Sequence, residues 1–347
     1  MFDVEQASRD LLNEAIQKEA SDIHFVPGVN GYHVFYRLTG SLTDVKVLDA
    51  LLADRLISHF KYHSGMDIGE RRKPQSTAMV YPLREKTYSL RLSTLPAKPR
   101  ESLTIRISPQ HALQSLSHLP LLSYQSKVLS TAATLTQGLV LITGATGSGK
   151  TTTIYAMLEE ILSTGKRSIV TVEDPIERTI GRAVQVETNE RAGVTFDVAL
   201  RAALRHDPDV IVVGEIRDAQ TAQLAIRASL SGHLVISTLH SSDAYGAIVR
   251  LREFGLSKTD LLEACKLVIS QQLLPILCEV CQEEENGECL TRHKRASVFE
   301  SLGGIALAEG IAREVRPSYQ RMKTHLRKAW ALGYIGKQML EEAPYES

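Results

Sequence analysis

Gly144-Ala145-Thr146-Gly147-Ser148-Gly149-Lys150-Thr151 satisfies G-x-x-x-x-G-K-[ST] at every position. Glycines at that spacing let successive backbone N–H groups curl around one centre. The lysine adds a point charge, and the threonine offers a hydroxyl to a divalent cation. Together these groups suit the phosphates of ATP with Mg²⁺. An apolar run, Gly138 to Thr143, precedes the loop, and a helical segment from Thr151 to about Leu162 follows it. The helix N-terminus would then add its dipole to the same anion site, with Thr152 in the first turn.

Three further apolar runs end in groups able to work beside such a site. Ser168 to Val172 leads into Glu173, Asp174 and Glu177, and Val210 to Val213 leads into Gly214-Glu215. Leu234 to Thr238 leads to His240, and His233 precedes it. In an open α/β sheet, ligands sit at the carboxyl ends of the strands, so these side chains can reach a metal ion and an attacking water. Glu215 stands where many phosphate-binding-loop proteins carry Asp, and it can act on Mg²⁺ through a bound water. His240, emerging at the same edge as Glu215, can sense the γ-phosphate. The alternative for each acid is a solvated strand end, and for each histidine a structural hydrogen bond. Phosphoryl transfer also develops charge that a second cation can stabilise. Arg201 and Arg205, four apart on a predicted helix, share a face. Arg91 and Arg106 fall on predicted strands far upstream, where pattern alone gives only surface cations.

Cys278 and Cys281 have zinc-ligand spacing, and Cys289 and His293 follow within twelve residues. That set could supply four tetrahedral ligands to Zn²⁺, against the alternative of a chance cluster. Cys265 sits in an apolar run that reads as helical and as core.

Positioning these groups needs more than one core. A chain of 347 residues fits two domains. Residues 1–107 read as a small α+β domain. Its opening helix carries Leu11, Leu12, Ala15 and Ile16, and its strands cover Ile23 to Val26, Tyr32 to Leu38, Ala78 to Pro82, Tyr88 to Leu95 and Ser102 to Ile107. Asn30-Gly31 favours a tight hairpin between the first two. Residues 108–118 read as a linker. Residues 119–275 alternate apolar runs with helices, the pattern of a parallel sheet covered on both faces. Residues 276–347 read as polar and then mostly helical, with no strong strand. Lys plus Arg and Asp plus Glu are both 40, and no basic stretch interleaved with aromatics stands out, which argues against direct nucleic-acid binding. No apolar run of 18 residues and no leader pattern are present, and four cysteines do not make a disulfide scaffold, so a cytoplasmic protein is expected.

In this order the motifs resemble the secretion-type ATPases of type II secretion and type IV pilus assembly. Gly144 to Thr153, Val172 to Glu177, Asp207 to Asp218 and Gly232 to Ala244 look like that family's Walker A, Asp box, Walker B and His box. Ala20 to His24, Tyr36 to Gly40, Met66 to Gln75 and Arg91 to Pro96 look like further family segments, so the likeness runs over roughly residues 5 to 302. It implies a homohexamer of a PAS-like domain linked to a RecA-like ATPase domain. It also implies that Glu177 activates water and Glu215 stands near Mg²⁺. Arg91, Arg106, Arg201 and Arg205 would close on the nucleotide. A membrane platform protein would be the partner, met from the cytoplasmic side as a peripheral contact. The Cys278–Cys281 pair resembles assembly rather than retraction motors. With no extra N-terminal recruiting domain expected, the chain looks most like the competence pseudopilus branch, which serves DNA uptake. Only one cysteine stands where a second pair is usual. Arg100-Glu101 replaces Gly-Glu, and Ser241-Ser242 replaces Thr-Asn.

Overall fold

The stripe Ser8, Leu11, Leu12 and Ala15 is the buried face of α1 (Val4–Gln17). It packs with α2 (Ala50–His63) on one side of a six-stranded sheet, β1 (Asp22–Gly28), β2 (Gly31–Leu38), β3 (Ser41–Leu48), β4 (Gln75–Leu83), β5 (Lys86–Leu95) and β6 (Ser102–Gln110), in the order β3-β2-β1-β6-β5-β4. Every neighbouring pair is antiparallel. Strand alternation sends Ile23, Phe25, Val34, Tyr36, Leu90, Leu92, Leu103 and Ile105 into the core and Asp22, Arg37, Arg91 and Arg106 to the other face. The hairpin between β1 and β2 closes on the pair Gly28–Gly31, so its two turn residues are Val29 and Asn30 rather than Asn30 and Gly31. Gly31 has φ 139°, and a Cβ there would lie 2.3 Å from the Leu48 carbonyl oxygen. Sequence reading passed over α2 and β3. Asp49 caps α2 by accepting from the Leu51 and Leu52 amides. The computed structural model describes residues 4–38, 41–84, 86–110, 115–278, 280–281 and 295–341.

The chain divides into two compact units, Met1–Ala112 with Pro175–Thr179, and Leu113–Asp174 with Ile180–Ser347. The second begins with α3 (Ser126–Thr134), β7 (Gly138–Thr143), α4 (Lys150–Ser163), β8 (Ile169–Glu173) and β9 (Val184–Glu187). It continues through α5 (Phe196–Ala203), β10 (Val210–Val213), α6 (Ala219–Leu230), β11 (Leu234–Leu239), α7 (Ala244–Glu253) and α8 (Lys258–Ala264). Then come β12 (Cys265–Pro275), β13 (Arg295–Gly303), α9 (Gly304–Arg313), α10 (Met322–Ala331) and α11 (Lys337–Glu341). The sheet order is β13-β12-β7-β11-β10-β8-β9, parallel throughout except for β13. Helices on both faces are why its central strands are apolar without alternation. Leu139, Leu141, Ile211, Val213 and Val235 enter one core, and Val140, Ile142, Val210, Val212, Leu234 and Ile236 enter the other.

Two expectations for this unit need correction. Cys265 is buried as expected, yet it opens strand β12 rather than lying in a helix. Beyond residue 276 the chain is not only helical, because β13 pairs with β12 along nine residues. Its polar members concealed it. Glu300, 1% exposed, accepts hydrogen bonds from the Ala244 amide, the Tyr319 hydroxyl and the Met322 amide at 2.9, 2.9 and 2.6 Å. A carboxylate with three donors can be buried inside a strand, which binary patterning does not anticipate.

Candidate functional site

The glycine-rich loop leaves β7 and enters α4, and its backbone needs its glycines. Gly144, Gly147 and Gly149 have φ of 143°, 80° and 87°. A Cβ on Gly144 would lie 2.4 Å from the Gln271 carbonyl oxygen and 2.9 Å from Ser148 Oγ, and one on Gly149 2.9 Å from Gln271 Nε2. Gln271 on β12 is buried and braces the loop from behind. It accepts from Thr153 Oγ1 at 2.9 Å and donates to Ser297 Oγ at 3.0 Å. Lys150 Nζ donates to the Gly144 and Ala145 carbonyls, both at 2.9 Å. Burial pulls its ammonium below the ordinary lysine value, and Glu215 works against that shift. Ala145, Thr146, Gly147 and Thr152 are exposed, and Thr151 is half-buried. Ser148 Oγ is buried and has no hydrogen-bond partner.

Glu215 follows β10 at the carboxyl edge of the sheet, and His240 follows β11 beside it. His240 Nε2 stands 3.1 Å from Glu215 Oε1, and its Nδ1 stands 3.3 Å from the Gly144 carbonyl oxygen. The other oxygen of Glu215 accepts from Arg217 Nε at 2.7 Å, and Arg217 reaches on to Asp174 at 3.2 Å. The loop, Glu215, His240 and Arg217 therefore form one connected edge. His233 is elsewhere, its Nδ1 2.9 Å from the Ala228 carbonyl oxygen.

The three acids at the end of β8 and just beyond it separate. Glu173, expected at the open edge with its neighbours, is buried instead. It accepts from the hydroxyls of Tyr155 and Thr171 and from Gln185 Nε2. Asp174 is exposed and joins Arg217. Glu177 is exposed, in the segment Pro175–Thr179.

Among the arginines, Arg91 and Arg106 are direct cross-strand neighbours on β5 and β6, and Asp22 on β1 is the next in the row. Asp22 is 4% exposed and accepts from Arg106 Nε at 2.9 Å, with Arg37 Nε at 3.7 Å from its second oxygen. Arg201 lies in the last turn of α5 and pairs with Asp197 at 2.8 Å. Arg205 does not continue that helix, which stops at Ala203. It is exposed on a 3₁₀ turn, Leu204–His206. Cys278 and Cys281 are half-buried, while Cys289 and His293 lie outside the described residues. Among the described residues no group of three or more His, Cys, Asp or Glu side chains is placed to hold a metal, so the zinc expectation gains no support.

Sequence reasoning missed Gln271, Arg217, Asp22 and Arg37. Arg217 carried a local signal, two residues beyond Glu215, and Asp22 and Arg37 lay inside the segments Ala20 to His24 and Tyr36 to Gly40 without being singled out. The chain matches the family described as Type II/IV secretion system protein over residues 3–323. It belongs to that family. The competence protein ComGA of Halalkalibacterium halodurans is 45% identical over 96% of this chain and 97% of its own. ComGA of Bacillus subtilis is 41% identical over 96% of each. The putative type II secretion system protein E of Escherichia coli is 40% identical over 79% of the chain, which spans 55% of that longer protein. A crystal structure of the pilus retraction motor PilT with bound ADP superposes with TM-score 0.78 at 29% identity, covering 97% of this chain and 96% of the other. The fold is accordingly an N-terminal α+β domain and a RecA-like domain, and the protein is a secretion-type ATPase.

The loop of this secretion ATPase fits the triphosphate and Mg²⁺ that such an enzyme uses. A buried orphan hydroxyl, a half-buried lysine resting on neutral carbonyls, and glycines that exclude any Cβ are what a phosphate cradle requires.

Proposed function

We propose that this protein is a hexameric motor that hydrolyses ATP to drive assembly of a competence pseudopilus for DNA uptake. It would work at the cytoplasmic face of the membrane through a platform protein. The observation that carries the reading is the connected edge Gly144–His240–Glu215–Arg217 beside Lys150, on a chain 45% identical to a competence protein along nearly its whole length.

In this reading the loop amides from Gly144 to Thr152 and Lys150 bind the phosphates. Thr151 and Glu215 would hold Mg²⁺, which when bound neutralises charge on the β- and γ-phosphates. Glu177 takes the proton of the attacking water. His240 couples the state of the loop to Glu215, because its ring contacts both. Arg91, Arg106, Arg201 and Arg205 supply the charge that stabilises transfer.

Steady-state turnover of the ring fraction, with and without DNA and beside Lys150→Ala, tests the reading. Slow, Lys150-dependent turnover indifferent to DNA is expected. Strong stimulation by DNA would make the ring a nucleic-acid motor and overturn it. A retraction motor is the second reading, favoured by the likeness to PilT. Fibres accumulating at the surface of a deletion strain, rather than disappearing, would select it.

A further inference from the structure

From Val315 to Leu340 the chain carries Arg316, Arg321, Lys323, Arg327, Lys328 and Lys337 and no acid until Glu341, in a protein whose formal charge is zero. The same stretch holds Trp330, the single tryptophan. This basic stretch interleaved with aromatics escaped the sequence reading because overall neutrality concealed it. On α10 the buried face is Met322, His325, Leu326 and Ala329, of which Met322, Leu326 and Ala329 pack with Leu122, Leu274, Val298 and Ile335. The opposite face is Arg327, Lys328, Trp330 and Ala331, all exposed. Trp330, Leu332 and Tyr334 are 45%, 63% and 41% exposed. Beside them lies a cavity of about 370 Å³ lined by Leu121, Leu122, Tyr124, Lys328, Leu332 and Tyr334 among others. Lys328 sits 5.0 Å over the Tyr124 ring.

Large apolar side chains on a helix end, rimmed by cations, match the boundary between water and lipid. Trp and Tyr prefer the headgroup level, and Lys and Arg are drawn to anionic lipid. We propose that the outer face of α10 and the turn after it seat directly on an anionic lipid surface. Trp330, Leu332 and Tyr334 enter the headgroup layer while Arg327 and Lys328 meet its phosphates. Charge decides the occupant. A second copy of the face would oppose cations to cations, whereas an anionic bilayer complements them. Trp330 and Tyr334 could stack on bases, but Leu332, the most exposed of the three, and the leucines lining the cavity are aliphatic and gain only from acyl carbons, so lipid fits the whole face better than nucleic acid. The inference goes beyond the proposed function, in which a protein mediates the membrane contact.

Trp330 reports the event without a label. Full-length protein is mixed with vesicles of phosphatidylglycerol or of phosphatidylcholine, and emission and co-sedimentation are followed. A blue shift with phosphatidylglycerol alone is expected, reversed near 1 M salt, where the screening length falls to about 3 Å. Arg327→Glu with Lys328→Glu should weaken partition roughly 25-fold or more, at about fivefold per cation lost. Lys150-dependent turnover should be unchanged in that variant, so failure here is separable from failure of the motor reading. Leu332→Ser should cut the shift while leaving the salt dependence. No shift with phosphatidylglycerol would overturn the proposal. So would an equal response to phosphatidylcholine, a shift produced by oligonucleotide instead, or one that grows with protein concentration in the absence of lipid.

Discussion

Lys150 directs two of its N–H donors to neutral carbonyls, those of Gly144 and Ala145, inside a site that weakens its hold on its proton. Phosphate oxygens are charged and accept more strongly, so a nucleotide is expected to draw the ammonium off the loop. Glu177 has a different task in the proposed cycle, and its loss should separate binding from chemistry. Glu177→Gln should retain ATP within a few-fold of the parent affinity and lower single-turnover hydrolysis by about 100-fold or more. A rate within threefold of the parent would remove Glu177 from the chemistry. Cys265 allows a test that is independent of nucleotide. Burial pushes its thiol up to about 12, so at pH 8 on the order of one molecule in ten thousand carries the thiolate. Native protein treated with iodoacetamide should therefore be spared at Cys265 and modified there only after unfolding, as read by peptide mass spectrometry. Much of this scale was legible in the sequence, because the glycines, Lys150, Thr151 and Glu215 are dictated by local chemistry. Glu173 was misread because its fate depends on Tyr155, Thr171 and Gln185, and two of those three lie outside its own segment.

The elements holding these residues depend on two buried polar side chains on the paired strands β12 and β13. Gln271 supports the loop through Thr153, and Glu300 ties β13 to the start of α7 and of α10. Gly144→Ala would drive a Cβ against the Gln271 carbonyl at 2.4 Å. The loop should shift while the sheet stays intact, giving loss of nucleotide binding with an unchanged far-ultraviolet dichroism spectrum. Normal binding would mean that the loop tolerates the contact. Glu300→Ala leaves two amides and a hydroxyl without their acceptor, at a cost of about 2–4 kcal/mol. Urea unfolding should show that loss, and hydrogen exchange should show the Ala244 and Met322 amides deprotected first. A variant within 0.5 kcal/mol of the parent, as a surface change would be, would mean that water replaces the carboxylate. The same two residues explain which elements sequence pattern could reach. The central strands β7, β8, β10 and β11 announce themselves as unbroken apolar runs, since helices cover both sides. β12 and β13 carry Gln271 and Glu300 in their middles, and their strand character rests on partners at least twenty residues away. β3 is mostly exposed, so its side chains give little periodic signal.

At the scale of the whole molecule, the phosphate loop and the arginine row belong to different cores, one in each compact unit. Asp22 organises the row, since it is buried, holds Arg106 directly and stands beside Arg37, while Arg91 next to them is exposed. If the arginines act as the proposed second cations, domain movement can be coupled to turnover, because they would act only when brought to the nucleotide. In the proposed hexamer, neighbouring subunits would set that geometry. Turnover per subunit should therefore rise steeply with protein concentration and co-elute with the ring on size exclusion, while dilution below assembly should silence it. Arg91→Ala should assemble normally and bind ATP as the parent does, yet turn over about 10- to 100-fold more slowly, as loss of a charge used only in the transition state requires. Equal specific activity in monomer and ring fractions would place the complete site in one subunit and remove the hexamer from the mechanism. Full activity in Arg91→Ala would leave the row as a solvated stripe on a sheet face.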